Sequence, residues 1–253
     1  MCNFYDAHYP PKKLGYIFGA KLNLPKTYNG DYKVTPTGYS PIIRVNEDGE
    51  RVAEESFFKL VPDFADTMNH KYSTMNCRDD KILSSRMWRP IFEKQQRCIV
   101  PVSGFYEHHT LNEEVMIEGS KKKTNKVPYR ISLKSTDVFG FAGLWNIWVD
   151  KESGREMLSH AIITTDPNET VAKIHNSSKR MATILPETAY DLWLNKVDKP
   201  EDLFDANIFK PLADEDMQFH QVNKQFDYGL SDKGLRKPVE QPIQINGEQK
   251  GLF

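Results

Sequence analysis

The sequence of 253 residues is poor in cysteine and carries no excess of charge of either sign. Its three cysteines, Cys2, Cys77 and Cys98, are odd in number and scattered, which excludes a disulfide framework and a CxxC metal motif. This cysteine usage predicts a reducing, cytoplasmic compartment. A formal net charge of -1 excludes a polybasic, histone-like protein, so any contact with nucleic acid requires a local basic patch.

Long hydrophobic runs are absent as well. The longest apolar stretches are far shorter than the roughly 20 residues that a membrane-spanning helix needs. The N-terminus has no charged segment followed by an apolar one, so we expect neither a signal peptide nor a membrane partner. A content of 39% hydrophobic and 27% charged residues is typical of a globular protein with a sizeable core.

Several segments have the composition and periodicity of β-strands. Residues 127–134 (VPYRISLK) alternate apolar and polar side chains, and residues 138–149 (VFGFAGLWNIWV) are apolar nearly throughout. Residues 98–108 (CIVPVSGFYEH) and 160–165 (HAIITT) are also typical of strands, and we expect the first of these runs to end at Glu107. Because strands outnumber helices and do not alternate with them regularly, the sequence predicts an α+β fold with a largely antiparallel sheet.

The last strand-like segment leads into a short predicted helix, and the end of the chain has a different character. Asp166 is expected to cap this helix in a capping box, DPNE. From about Ser231 the chain is polar, contains Gly and Pro, and has no clear period. We therefore predict a single domain over residues 1–230 and a loosely held tail over residues 231–253.

The chain opens with MCNFYDA, which places Cys2 directly after the initiator methionine. If Met1 is removed, Cys2 becomes the N-terminus and carries a free α-amine and a thiol on neighbouring carbons. An α-amine has an ordinary pKa of about 7.7–8.0, against about 10.4 for lysine, so it is a competent nucleophile at neutral pH. The position has a plain explanation too, since some residue must follow Met1.

Three further segments contain residues suited to chemistry. The candidates are Asn76, Arg78 and Arg86 within residues 75–88, Glu107 within residues 97–108, and Thr164 and His175 within residues 164–185. Taken singly, each has a common structural explanation. A glutamate at a strand end is usually solvated, a histidine after a short helix usually caps it, and an asparagine usually forms a turn. Only their joint order along the chain favours a functional interpretation.

Together with the initial Met-Cys, these segments resemble the SOS-response-associated peptidase (SRAP) family, whose members shield abasic sites in single-stranded DNA. The resemblance covers roughly residues 1–225 and implies a single α+β domain with a barrel-like sheet core flanked by short helices. The motifs that carry it are Asn76-Cys77-Arg78, the run from Cys98 to Glu107, the FAGLW segment Phe141–Trp145, and Ile174-His175 followed by Arg180-Met181.

The resemblance implies a reaction and a role for each catalytic candidate. The α-amine of Cys2 forms a Schiff base with the C1′ aldehyde of the opened sugar, and its thiol closes a stable thiazolidine ring. Glu107 moves the protons that imine formation requires. His175 stabilises the sugar hydroxyl or bonds to the emerging amine, and Asn76 orients the nucleophile. The protein is then an enzyme with lyase-like crosslinking activity on DNA, and Met1 is removed either by the protein itself or by an aminopeptidase.

The resemblance also implies a partner, single-stranded DNA containing an abasic site. Arg78 and Arg86 are expected to bind phosphates, with Thr164 as an added hydroxyl contact. Phe58, or its neighbour Phe57, is expected to stack on a base beside the lesion. We expect no cofactor, no metal and a monomer.

Several positions depart from the usual SRAP pattern. Family members commonly begin Met-Cys-Gly-Arg-Phe, whereas this chain has Asn3 after the cysteine and lacks the arginine, which removes one expected phosphate contact. Lys59 replaces a glycine in the segment that is usually Trp-Gly-Leu-Ile-Pro, and a lysine there is a potential phosphate contact. His108 and Ala182 stand where tryptophan and proline are common.

Two other functions are compatible with parts of the sequence. An N-terminal-nucleophile amidohydrolase, such as a glutamine amidotransferase, also exposes Cys2 and attacks an amide through sulfur. Such chains usually follow the cysteine closely with glycine, whereas the first glycine here is Gly15. A DNA-binding module without reactivity is the third possibility, and the presence of Cys2, Asn76, Glu107 and His175 argues against it.

Overall fold

A computed structural model of the chain describes residues 3–115 and 123–243. Within these residues the chain forms thirteen strands and four short α-helices. The strands are β1 (Phe4–Asp6), β2 (Lys21–Asn23), β3 (Tyr39–Val45), β4 (Arg51–Phe58), β5 (Asn76–Arg78), β6 (Arg97–Val102), β7 (Gly104–Val115), β8 (Lys123–Leu133), β9 (Phe139–Val149), β10 (Glu156–Thr165), β11 (Met181–Ala182), β12 (Ile184–Leu185) and β13 (Met217–Gln221). The helices are α1 (Lys12–Phe18), α2 (Trp88–Glu93), α3 (Glu169–Ile174) and α4 (Tyr190–Leu194).

Five strands form a closed barrel in the order β10, β4, β3, β6, β9, and the barrel closes because β9 also pairs with β10. Four of the five pairs are antiparallel, and only β4 and β10 run parallel within the barrel. The strands β2 and β5 extend this sheet as parallel partners of β4 and β10. The predicted α+β fold with a largely antiparallel, barrel-like core is confirmed.

The barrel explains the apolar sequence of β9. The residues from Phe139 to Leu144 are all buried, because β6 and β10 flank the strand on either side. Gly143 sits where its neighbours come very close, since a Cβ atom there would lie 2.9 Å from both Cys98 Sγ and the Ala161 carbonyl oxygen. A residue with a side chain does not fit without displacing the neighbouring strands.

A second, antiparallel sheet has the order β1, β7, β8, β13 and packs on the barrel. The Tyr5 and Phe105 rings contact the barrel, with centroids 5.1 Å from Phe58 and 5.5 Å from Phe141 respectively. In contrast to the sequence-based expectation, the strand does not end at Glu107. It runs on in a β7–β8 hairpin to Val115, so Glu107 lies inside the sheet.

The helix after β10 begins later than predicted. Asn168, not Asp166, caps α3, and its side chain accepts a hydrogen bond of 2.9 Å from the Val171 amide. Asp166 accepts instead from the Arg180 guanidinium at 3.0 Å. Asparagine and aspartate are both good capping residues, so the sequence did not distinguish the two positions.

The C-terminal segment is held more firmly than the sequence suggests. A domain boundary at residue 230 stays a prediction, but the first residues beyond it are docked. Leu235 is fully buried in a cluster with Tyr106, Val222 and Phe226. No helix in the described part of the chain is both long and apolar enough to cross a membrane.

Candidate functional site

Glu107 is a buried carboxyl group on β7. The residue is only 4% exposed, and it pairs across the hairpin with Tyr129, which is fully buried. Burial raises the pKa of Glu107 to about 8, since the charged form loses its hydration. Its Oε1 atom has no hydrogen-bond partner among the described residues. At neutral pH this side chain is therefore mainly a neutral acid, and its Oε1 atom is available for a hydrogen bond to a ligand.

His175 faces this carboxyl group from the C-terminal end of α3. Its Nδ1 atom lies 3.4 Å from Glu107 Oε2 and 3.0 Å from the Arg180 carbonyl oxygen. Burial lowers the pKa of His175 to about 4, so the ring is neutral at neutral pH. Because a carbonyl oxygen only accepts, Nδ1 carries the ring proton and Nε2 is the acceptor. The Ser178 hydroxyl lies 2.8 Å from Nε2.

Asn76 approaches the same region from the barrel. It begins β5, which lies beside β10 with Asn76 opposite Ile162. Its Nδ2 atom donates a hydrogen bond of 3.0 Å to Asn3 Oδ1. Its own Oδ1 atom is buried and has no partner among the residues that the structure describes. An acceptor in this position is suited to a donor from the start of the chain or from a ligand.

The start of the chain meets these residues through β1. This strand runs antiparallel to β7, with Tyr5 opposite Phe105 and Phe4 opposite Tyr106. Asn3, which precedes Phe4, therefore lies on the side of Tyr106 where Glu107 follows. Cys2, the predicted nucleophile, lies outside the described residues, as does Met1. In the sequence, Cys2 directly precedes Asn3.

Comparisons with known proteins identify the family of this chain. The family described as SOS response associated peptidase (SRAP) matches residues 1–227 of the chain. This chain belongs to the SRAP family. The resemblance noted in the sequence is thereby confirmed.

Similar proteins occur in bacteria and vertebrates. The chain is 30% identical over 197 residues to the abasic site processing protein YoqW of Bacillus subtilis, covering 78% of this chain and 80% of that one. It is 27% identical over 227 residues to the abasic site processing protein HMCES of Pongo abelii, covering 79% of this chain and 62% of that one.

Solved structures share the fold. A protein from Bacteroides thetaiotaomicron superposes with a TM-score of 0.77 at 25% identity, over 94% of this chain and all of that one. A protein from Bordetella bronchiseptica superposes with a TM-score of 0.70 at 22% identity, over 88% of this chain and all of that one. The second match shows the fold alone.

Two of the DNA contacts expected for an SRAP protein are accessible. Arg78 ends β5 at the surface, where its guanidinium forks onto the Asp80 carboxylate at 2.9 and 2.7 Å. Arg86 is exposed in the turn before α2. A phosphate that binds Arg78 must compete with Asp80 for the same donors.

The two other expected contacts are not accessible in this SRAP chain. Thr164 is 1% exposed within β10, and Phe58 is fully buried at the end of β4. The Phe58 ring stacks on His160 with centroids 5.3 Å apart, and the edge of Tyr5 packs against it. Phe57 is buried as well. Neither ring offers an open face to a base, because Phe58 packs in the main core and Phe57 in a second cluster with Val61, Ala65 and Trp148.

Lys59 and the neighbouring histidines have structural partners. The Lys59 ammonium donates to the His70 carbonyl, His108 Nε2 lies 2.7 Å from the Asp227 carboxylate, and His109 Nδ1 lies 2.9 Å from the Lys173 carbonyl. No group of three or more metal-ligating side chains occurs in residues 3–115 and 123–243.

Arg180 contacts the candidate site, and the sequence alone did not assign it a role. Its guanidinium donates to the carboxylates of Asp79 at 2.8 Å and Asp166 at 3.0 Å, and to the Thr164 carbonyl. It thus ties the loop after α3 to the ends of β5 and β10. The same residue's carbonyl accepts the Nδ1 proton of His175. The sequence signal that could have identified Arg180 was its place in the Arg180-Met181 pair of the family motif.

Proposed function

We propose that this protein captures abasic sites in single-stranded DNA as a covalent adduct on Cys2, after Met1 has been removed. The observation that carries the proposal is the convergence of Glu107, His175 and Asn76 on Asn3, the residue next to Cys2. The names of the relatives, abasic site processing proteins, support the same substrate.

The reaction needs two bond-forming steps and releases one water. The free α-amine of Cys2 adds to the C1′ aldehyde of the opened sugar and gives a carbinolamine. The carbinolamine hydroxyl takes a proton and leaves as water, which produces the imine. The Cys2 thiolate then adds to the imine carbon, and its former proton goes to the nitrogen, which closes the thiazolidine.

Glu107 is suited to the proton transfers in this sequence. A neutral carboxyl with a pKa of about 8 donates readily to the departing hydroxyl at neutral pH. The resulting carboxylate then takes back the proton that the amine loses. His175 stays neutral, and its position 3.4 Å from Glu107 helps to hold the carboxyl beside the N-terminus. The protein's own removal of Met1, and a lyase-like imine intermediate, belong to the same proposal.

Binding of the DNA is assigned to Arg78 and Arg86, whose side chains are exposed. Single strands are the proposed substrate, because an abasic sugar must leave the path of the strand to reach a buried carboxyl. A monomer in the cytoplasm is the proposed active form. Both cysteines in the described residues, Cys77 and Cys98, are free, which suits a reducing compartment.

A denaturing gel tests the proposal. The protein is mixed with an oligonucleotide carrying one abasic site, denatured, and examined for a band of lower mobility. We expect this band with the wild type and not with Cys2→Ala. Cys2→Ala and Cys2→Ser both keep the α-amine and lose the thiol, so either variant's imine should survive denaturation only after reduction with borohydride. A wild-type band that persists unchanged in Cys2→Ala would refute the proposal.

A further inference from the structure

A clasp of the C-terminal segment on β1 lies on the side of the second sheet away from Glu107. Asp6, in β1, is fully buried, and the Arg236 guanidinium forks onto its two carboxylate oxygens at 2.8 Å each. Arg236 also donates to the His8 carbonyl and, at 2.8 Å, to Ser103 Oγ. One side chain thereby bridges β1 to the residue that precedes β7.

The clasp is anchored by residues that precede Arg236 in the chain. Leu235 is fully buried against the outer face of the sheet, where Tyr106 also lies. Earlier in the chain, the Lys33 ammonium donates to the Phe226 carbonyl and the Ser231 hydroxyl donates to Asp31 at 2.7 Å. The segment is therefore fixed to the part of the chain that flanks β1.

The buried charge of Asp6 does not depend on Arg236 alone. Arg130, which is 7% exposed, donates to Asp6 Oδ2 at 3.1 Å and to the Ser103 carbonyl at 2.7 Å. Gly104 makes room for this guanidinium, since a Cβ atom there would lie 2.7 Å from Arg130 Cζ. Removal of Arg236 thus leaves Asp6 paired, and we expect the protein to fold without it.

We infer that Arg236 is a positioning residue for the reaction proposed above. Side chains alternate along a strand, so Asp6 and Tyr106 point to one face of the sheet while Tyr5 and Glu107 point to the other. Arg236 consequently has no contact with Glu107, but it holds β1 against the start of β7. That pairing directs Asn3, and with it the attached Cys2, towards Glu107. Arg236 lies beyond residue 227, where the family match ends.

Single-turnover capture of abasic DNA tests this inference. With saturating oligonucleotide, Arg236→Ala should lower the rate about tenfold, because small displacements of a reacting group cost much of its reactivity. Its affinity for an oligonucleotide with a tetrahydrofuran abasic analogue, which has no aldehyde, should stay unchanged. Lys233→Ala, an exposed neighbour in the same segment, is the matched control. Arg236→Lys keeps the charge without the fork and should also be slow.

Hydrogen exchange provides a readout that does not depend on the reaction. The amides of Tyr5 and Ala7 donate to the Val34 and Asp31 carbonyls, and both should exchange faster in Arg236→Ala than in the wild type. If the wild type forms no adduct, the proposed function fails while this measurement still tests the clasp. Wild-type capture rates in Arg236→Ala, or equal losses of rate and of analogue affinity, would overturn the inference.

Discussion

At the scale of single residues, Glu107 decides the chemistry that the site can perform. The sequence suggested a carboxylate at a strand end, partly desolvated by its apolar neighbours. The structure places it within a strand, because the polar stretch that follows it forms the β7–β8 hairpin. A hairpin with one solvated face needs few apolar residues, so composition alone did not reveal its length. The greater burial makes the residue a neutral acid near pH 7.

The raised pKa of Glu107 predicts how stability depends on pH. The unfolded chain holds this proton with an ordinary pKa near 4.5 and the folded chain with one of about 8. The folded state therefore binds more protons between these values, and its free energy of unfolding falls as pH rises through them. Glu107→Gln has no carboxyl group to titrate, so its free energy of unfolding does not fall with pH for this reason. We expect its melting temperature, relative to wild type, to be higher at pH 9 than at pH 5.

Thermal unfolding at the two pH values measures this difference. The exposed residue Glu156 provides the control, since the melting temperature of Glu156→Gln relative to wild type should be the same at both pH values. An offset between Glu107→Gln and wild type that does not change with pH would contradict the raised pKa.

Arg78 should contribute to affinity and not to the chemical step. Arg78→Ala removes one proposed phosphate contact at the surface, so we expect the affinity for the tetrahydrofuran oligonucleotide to fall roughly fivefold. At saturating DNA its capture rate should match wild type, whereas Glu107→Gln should be slow with normal affinity. Fluorescence anisotropy gives the affinities, and Lys21→Ala, on β2, is the control. Equal affinities and equal capture rates in Arg78→Ala and Glu107→Gln would refute the assignment of Arg78 to binding and of Glu107 to the chemical step.

At the scale of elements, the candidate site lies where the three-residue strand β5 meets the loop between α3 and β11. The apolar or alternating patterns of β8, β9 and β10 made these strands predictable. The strand β5 was not, because it contains only Asn76, Cys77 and Arg78 and owes its conformation to pairing with β10. The helix α3 was predicted, but its cap was not. Tertiary contacts of Asp166 with Arg180 decided which of two suitable residues became the cap.

The loop between α3 and β11 depends on Arg180. Arg180→Ala removes hydrogen bonds to two carboxylates, and we expect the free energy of unfolding to fall by about 1.5–3 kcal/mol. Capture should slow as well, because the loop that fixes the His175 tautomer loses its anchor. Urea unfolding and single-turnover rates measure the two effects. Lys173→Ala, an exposed change on α3, is the control. Wild-type values of both quantities would contradict this role.

At the scale of the whole molecule, two sheets bring distant parts of the chain to one place. Asn76, Glu107 and His175 come from distant parts of the chain, and their order in the sequence, together with Cys2, predicted that they belong together. Their distances depend on barrel closure and on the register of β1, which no local pattern specifies. Phe58 and Thr164 are buried for the same reason, since both lie on strands of the closed barrel.

The C-terminal clasp shows the limit of local patterns most clearly. Its contacts include one buried apolar residue, Leu235, and one arginine, Arg236, and neither produces a period in the sequence. Their partners, Tyr106 and Asp6, lie more than a hundred residues away in the sequence. Only the folded chain brings them into contact.

Covalent capture by Cys2 is tested by the mass of the denatured adduct. We expect one species whose mass is that of the Met1-free protein plus the abasic oligonucleotide, less one water. Peptide mapping should place the DNA on Cys2. An adduct that retains Met1, or one attached to a lysine, would show that Cys2 is not the nucleophile.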